Sequence, residues 1–124
     1  VWLCSIPNLL FVPDKDGDDK PDGPAEVVLD GWSLKCRHNV FNSLGWGPDG
    51  YLYGCNGILD TSFVGAPGTP KEKRTPMNCG VWRFHPTRKT FEVYASGTTN
   101  PFGLDWDEYG QPFITNSVIE HLLH

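Results

Sequence analysis

Two segments of this chain match at an offset of 60 residues. The first is Leu44-Gly45-Trp46-Gly47-Pro48-Asp49-Gly50-Tyr51-Leu52-Tyr53-Gly54-Cys55-Asn56. The second is Leu104-Asp105-Trp106-Asp107-Glu108-Tyr109-Gly110-Gln111-Pro112-Phe113-Ile114-Thr115-Asn116. Leu, Trp, Gly and Asn recur in place, and Tyr53 aligns with Phe113. Each copy reads as strand, tight turn at the glycine, strand, which is a β-hairpin with alternating apolar positions. A second match relates Leu10–Pro13 plus Ala25–Gly31 to Trp82–Pro86 plus Thr90–Gly97. In both, an apolar strand ends in proline and a connection leads to a further strand. Together the matches describe a four-stranded antiparallel unit recurring roughly every 50 to 60 residues, the signature of a β-propeller blade.

The expected fold class is therefore all-β, a fragment of a β-propeller with four-stranded antiparallel blades. Residues 1–35 read as the last three strands of one blade, residues 39–98 as a complete blade, and residues 99–124 as the start of a third. A propeller closes with about four to eight blades, so the reading is a piece of a larger ring, entered at Val1 inside an apolar strand-like run. The 14 Gly and 11 Pro among 124 residues agree, since they punctuate short strands rather than long helices. No apolar run approaches the roughly 18 to 20 residues that cross a membrane as a helix, and no signal peptide is visible. Residues 56–78 form a Gly- and Pro-rich insertion, expected over one face of the propeller with Lys71, Lys73 and Arg74 at its exposed tip. That small basic cluster, interrupted by Glu72, is far from the broad basic face that nucleic acid requires.

The other informative stretch is Asp14-Lys15-Asp16-Gly17-Asp18-Asp19-Lys20-Pro21-Asp22-Gly23. Asp14, Asp16, Asp18 and Asp22 occupy the first, third, fifth and ninth places of an EF-hand-like loop, and the Lys20 carbonyl falls where such loops offer a main-chain oxygen. A hard divalent cation takes six or more oxygens, and alternating carboxylates on a curled loop supply them. The acid usual at the twelfth place is missing: Ala25 stands there, with Glu26 next. Five acids and two lysines between residues 14 and 22 give a local balance of −3 within a chain of net charge −5. One calcium ion would bring the whole chain to −3. The competing reading is a solvated acidic turn.

Cys4, Cys36, Cys55 and Cys79 show neither a zinc spacing nor a haem-attachment spacing. They permit two disulfides in three connectivities, or free thiols. His85, in a Phe-His-Pro turn, reads as structural. His121 and His124 stand three apart, a spacing open to a metal or haem role or to none.

The runs Asp14–Asp18, Trp46–Gly54, Met77–Arg88 and Thr99-Asn100-Pro101-Phe102-Gly103 resemble the membrane-bound dehydrogenase family of planctomycetes and related bacteria. That family's propeller is similar to those of soluble quinoprotein glucose and sorbosone dehydrogenases, and a cytochrome c domain often follows it. The resemblance covers nearly the whole chain. It implies a six-bladed, periplasmic or otherwise extracytoplasmic propeller acting on a sugar or alcohol, with pyrroloquinoline quinone as cofactor beside calcium. Electrons would pass to a cytochrome c domain or protein, whose haem lies outside this chain. It further implies a histidine base just before the Gly-Pro-Asp hairpin, for which His38 is the nearest match. Family spacing is about one residue shorter, which puts Asn39 in register. Arg37 would orient an anionic group of the cofactor, or point to solvent. An unperturbed imidazole, with a pKa near 6.5, suits proton abstraction near neutrality. His38 bonded to loop backbone is the alternative.

Three functions follow: a quinoprotein-like dehydrogenase segment, a non-catalytic calcium-stabilised propeller binding glycan or protein, and a hydrolytic propeller of the lactonase kind. The acidic loop argues against the third, because a central catalytic calcium draws single ligands from several blades.

Overall fold

The computed structural model describes residues 1–35 and 40–124. The chain is all-β, built from small antiparallel sheets. The first holds β1 (Trp2–Ser5), β2 (Asn8–Phe11) and β3 (Glu26–Leu29), in that order. The middle sheet begins with the hairpin β4 (Phe41–Trp46) and β5 (Leu52–Asn56). A two-stranded hairpin, β6 (Ser62–Val64) and β7 (Thr75–Met77), then interrupts it. The sheet resumes with β8 (Gly80–His85) and β9 (Thr90–Ser96), in the order β4-β5-β8-β9. The third holds β10 (Asn100–Trp106), β11 (Pro112–Ser117) and the short β12 (Leu122–Leu123). Among the described residues, no helix is long and apolar enough to cross a membrane.

The middle sheet is buried on both faces, and its sequence shows why. Successive side chains on a strand point to opposite faces, and here both sets are apolar. Leu52, Trp82 and Phe84 join Leu9, Leu29, Trp32, Phe41, Val64 and Met77 in one core, against the first sheet. Tyr53, Cys55 and Val81 join Ile114, with Leu104, Trp106 and Leu123 packed alongside, in a second core against the third sheet. Aromatic contacts stitch both cores. Trp32 stacks on Phe41 at 4.2 Å between ring centres, and Tyr53 meets Trp106 edge-on at 4.9 Å.

The two 60-residue copies fold alike. Phe41 pairs with Asn56, Gly45 with Tyr53 and Trp46 with Leu52; sixty residues on, Pro101 pairs with Asn116, Asp105 with Phe113 and Trp106 with Pro112. Each first strand carries a bulge, between Asn42 and Gly45 and between Pro101 and Leu104. Each turn closes at a left-handed glycine, Gly50 at φ 79° and Gly110 at φ 78°, a conformation that side chains disfavour. Arg83 fastens the first of these turns to the sheet. It bonds Glu92 at 2.8 Å and Asp49 at 3.3 Å and lies 4.3 Å over the Tyr51 ring. Asp49 in turn accepts the Tyr53 hydroxyl at 2.8 Å.

The insertion departs from the sequence expectation. Val64 and Met77 are buried in the first core, so its hairpin is part of the packing rather than a cover. Asp30 and Gly65 exchange backbone bonds of 2.9 and 3.1 Å, joining the insertion to the chain that leaves the first sheet. Lys71 and Lys73 are exposed, but Arg74 is not. Its guanidinium turns inward to the carbonyls of Thr69 (2.7 Å), Asp30 (3.1 Å) and Phe63 (3.3 Å) and to the Asp30 carboxylate. Four oxygens offered to one planar five-donor fork outweigh exposure to water.

Trp82 lies across Gly54, where an added Cβ would come within 2.3 Å of the indole ring. Gly54→Ala is therefore expected to lower stability by about 1–3 kcal/mol through overpacking. Urea unfolding followed by tryptophan fluorescence measures it, and an unchanged midpoint would contradict this packing.

Candidate metal centre

The acidic loop connects β2 to β3. Asp14, Asp16 and Asp18 each turn a carboxylate oxygen into one small volume, all within 4.8 Å of one another. Calcium holds its oxygens at 2.3–2.6 Å, so two oxygens on one ion lie at most about 5 Å apart. These three fit that limit and are the hard, anionic donors that such an ion takes. Among the described residues this is the one group of three potential metal ligands brought together.

Local backbone chemistry sets the arrangement. Gly17 (φ 72°) and Asp19 (φ 64°) adopt left-handed conformations and curl the chain. The Asp14 carboxylate accepts the Gly17 N–H at 2.9 Å, and Asp16 accepts that of Asp18 at 3.3 Å. Short-range bonds of this kind are what Asp side chains form readily in turns. Asp22 closes the loop. Its N–H donates to the Pro13 carbonyl at 2.9 Å, and its carboxylate accepts the Lys15 N–H. Thus Asp22 stands at the neck of the loop, with its carboxylate on backbone rather than in the triad. Lys20 is bound to Asp18 twice, by its N–H at 2.9 Å and its ammonium at 2.8 Å.

The loop lies at a defined end of the stack. Trp2, paired with Phe11 at the loop's root, meets Trp46 at 6.3 Å and Phe84 at 6.0 Å. The acidic loop therefore shares an end with the Gly47–Gly50 turn. Residues flanking 36–39 lie at the other end: Val40 accepts a bond from Gly57 at 3.2 Å, and Lys35 reaches Asp60 at 3.8 Å. A six-residue strand separates these ends by roughly 20 Å. Arg37 and His38 themselves, with Cys36 and Asn39, fall outside the described residues.

The remaining candidates take structural places. His85 accepts the Arg88 N–H at 3.3 Å and sits edge-on to Tyr51 at 4.8 Å. His124 stacks on Phe113 and bonds Gln111. Cys4, Cys55 and Cys79 are free thiols, and burial raises the pKa of Cys55. Two polar groupings escaped the sequence reading. Ser33 donates to Asp60, holding that carboxyl below its usual range together with the Lys35 charge. At the same end, Cys79 donates to the Thr98 and Thr99 carbonyls, and Asn116 accepts the Thr99 N–H at 3.4 Å. Only the recurrence of Asn56 at Asn116 hinted at the second, and nothing hinted at the first.

A family model described as a domain of unknown function, DUF7133, matches residues 1–123. The chain belongs to the DUF7133 family. No curated protein and no solved structure matches it. Family membership thus leaves the chemistry to the residues, and the acidic loop is the place where they converge on an ion.

The Lys20 ammonium occupies Asp18 where a cation would compete, but the pair is exposed and worth at most about 1 kcal/mol. Lys20→Ala removes that competitor while keeping the carbonyl. It is expected to tighten calcium binding about two- to fivefold in calorimetric titration; weaker binding would mean that Lys20 supports the site.

Proposed function

We propose that this chain is a segment of an extracytoplasmic β-propeller of the quinoprotein sugar or alcohol dehydrogenase kind, with a calcium ion bracing its acidic loop. The observation that carries the reading is the face-to-face stacking of three antiparallel sheets, two of whose leading hairpins share one register at an offset of 60 residues. Stacked, repeated antiparallel sheets are how propellers dispose of their apolar faces. Calcium is supported by the convergence of Asp14, Asp16 and Asp18. Asp22 and the Lys20 carbonyl complete the set once Asp22 exchanges its backbone bond for the ion. The dehydrogenase assignment rests on the resemblance carried by the Trp-Gly-Pro-Asp-Gly hairpin and the Asn-Pro-Phe-Gly run.

On this reading the loop calcium is structural. It sits at the end of the sheets opposite residues 35 and 40, which flank the proposed base His38 and cofactor contact Arg37. Pyrroloquinoline quinone, when bound, would accept the hydride of the oxidised alcohol, and a cytochrome c domain would drain the electrons. A propeller that only binds glycan or protein would keep the same calcium loop and lack turnover.

Titration of this chain with calcium is expected to show one site with a dissociation constant on the order of 10⁻⁴ M, the weak end for such loops. Asp16→Ala should abolish it, and unchanged binding would remove calcium from the proposal. Redox activity is tested separately, in a longer polypeptide carrying this segment, by dye-linked oxidation of a sugar panel with quinone and calcium supplied. Removing a general base typically costs 10²–10⁴ in rate, the loss expected for His38→Ala. No turnover across the panel would favour the binding propeller, and turnover that survives the substitution would dismiss His38 as the base.

A further inference from the structure

The faces of the first and third sheets that point away from the middle sheet are apolar as well. On the first sheet, Trp2 and Leu9 face the core, so the alternate residues Leu3, Leu10 and Val27 face outward. They form a single row across the three strands, for Leu3 pairs with Leu10 and Leu10 with Val27. On the third sheet, Leu104, Ile114 and Leu123 face the core. Thr115 and Leu122, a cross-strand pair, lie outward, and Phe102 is exposed in the bulge. Leu3 is 43% exposed, Val27 42%, Leu122 55% and Phe102 67%. A sheet with one solvated face alternates apolar and polar residues. These two carry apolar rows on both faces, as the middle sheet does, and the middle sheet is covered on both sides.

We propose that the two outer faces take each other: the first sheet of one chain packs on the third sheet of a second copy, head to tail. The chain itself supplies the argument for this occupant. It already makes the same contact twice, first sheet on middle and middle on third, and the outer faces are the unmatched halves of that repeated interface. Leu3, Leu10 and Val27 present one half; Phe102, Thr115 and Leu122 present the other. A contact between unlike faces propagates until rotation closes it. Three sheets fall short of the four to eight that close a propeller, whereas two copies supply six. The inference rests on the stacked-sheet part of the proposed function and on neither calcium nor quinone.

Sedimentation velocity and light scattering of the purified chain test it. The expected species is a dimer, twice the chain mass, with no higher filament. Leu3→Asp and Leu122→Asp each place a charge in one face at an exposed position, and each alone should weaken association tenfold or more, the effect of a central contact residue. Mixing the two variants should restore a dimer, because each contributes its intact face. A monomer at every accessible concentration overturns the proposal. So does a dimer formed by either variant alone, which would mean that like faces pair. Near-ultraviolet circular dichroism checks that both variants keep the stacked aromatic core. A monomer with that core intact and calcium still bound would reject self-association while leaving the proposed function standing.

Discussion

The stack depends on Trp82 lying flat across Gly54. Trp82 is fully buried, and it faces the first core while its neighbours on β8, Val81 and Arg83, face the other way. Only a residue without a side chain lets β5 pass beneath the indole. That approach brings Trp82 within 5.5 Å of Trp32 and 5.8 Å of Phe91, so the first sheet's exit and the outermost strand of the middle sheet share one aromatic cluster. Fully burying a large apolar side chain contributes roughly 1.5–3 kcal/mol. Exposed ion pairs such as Lys20–Asp18 contribute about 0–1. The aromatic layers, not the surface charges, therefore hold the sheets together.

The all-β class was legible because hairpins are local. The two Trp-to-Asn segments carry strand alternation and a left-handed glycine within thirteen residues each, and the structure forms both with one register. The acid triad was legible for the same reason: ligands two residues apart on a curled loop meet whatever the rest of the chain does. Long-range partnerships were not legible. Arg74 reads as a loop-tip cation in sequence, and its partner Asp30 lies 44 residues away on another sheet's exit. The strands β6 and β7 are three residues long, and Pro76 within β7 reads as a breaker. It is tolerated because this two-stranded sheet has only edges. Gly- and Pro-rich composition thus hid a hairpin that fills the core.

The same repeat that makes the fold legible also shows what is peculiar to the acidic loop. In the middle sheet, four residues suffice to join β8 to β9; in the first sheet, 14 residues join β2 to β3 at the corresponding place. Closing the longer connection costs about 1 kcal/mol more in chain entropy, and five carboxylates repel one another within it. Hydrogen bonds from Asp14, Asp16 and Asp22 to loop N–H groups offset part of this, and the Lys20 ammonium offsets one charge. On the calcium reading, an ion at ten times its dissociation constant adds about 1.4 kcal/mol of stability, enough to balance the entropy of the extra length. The ion would act at the root of β2 and β3, beside Trp2 and Phe11, where the first sheet meets the middle one. Its reach is the packing of that interface, and the roughly 20 Å of strand beyond keeps it from the end where residues 35 and 40 flank the proposed base.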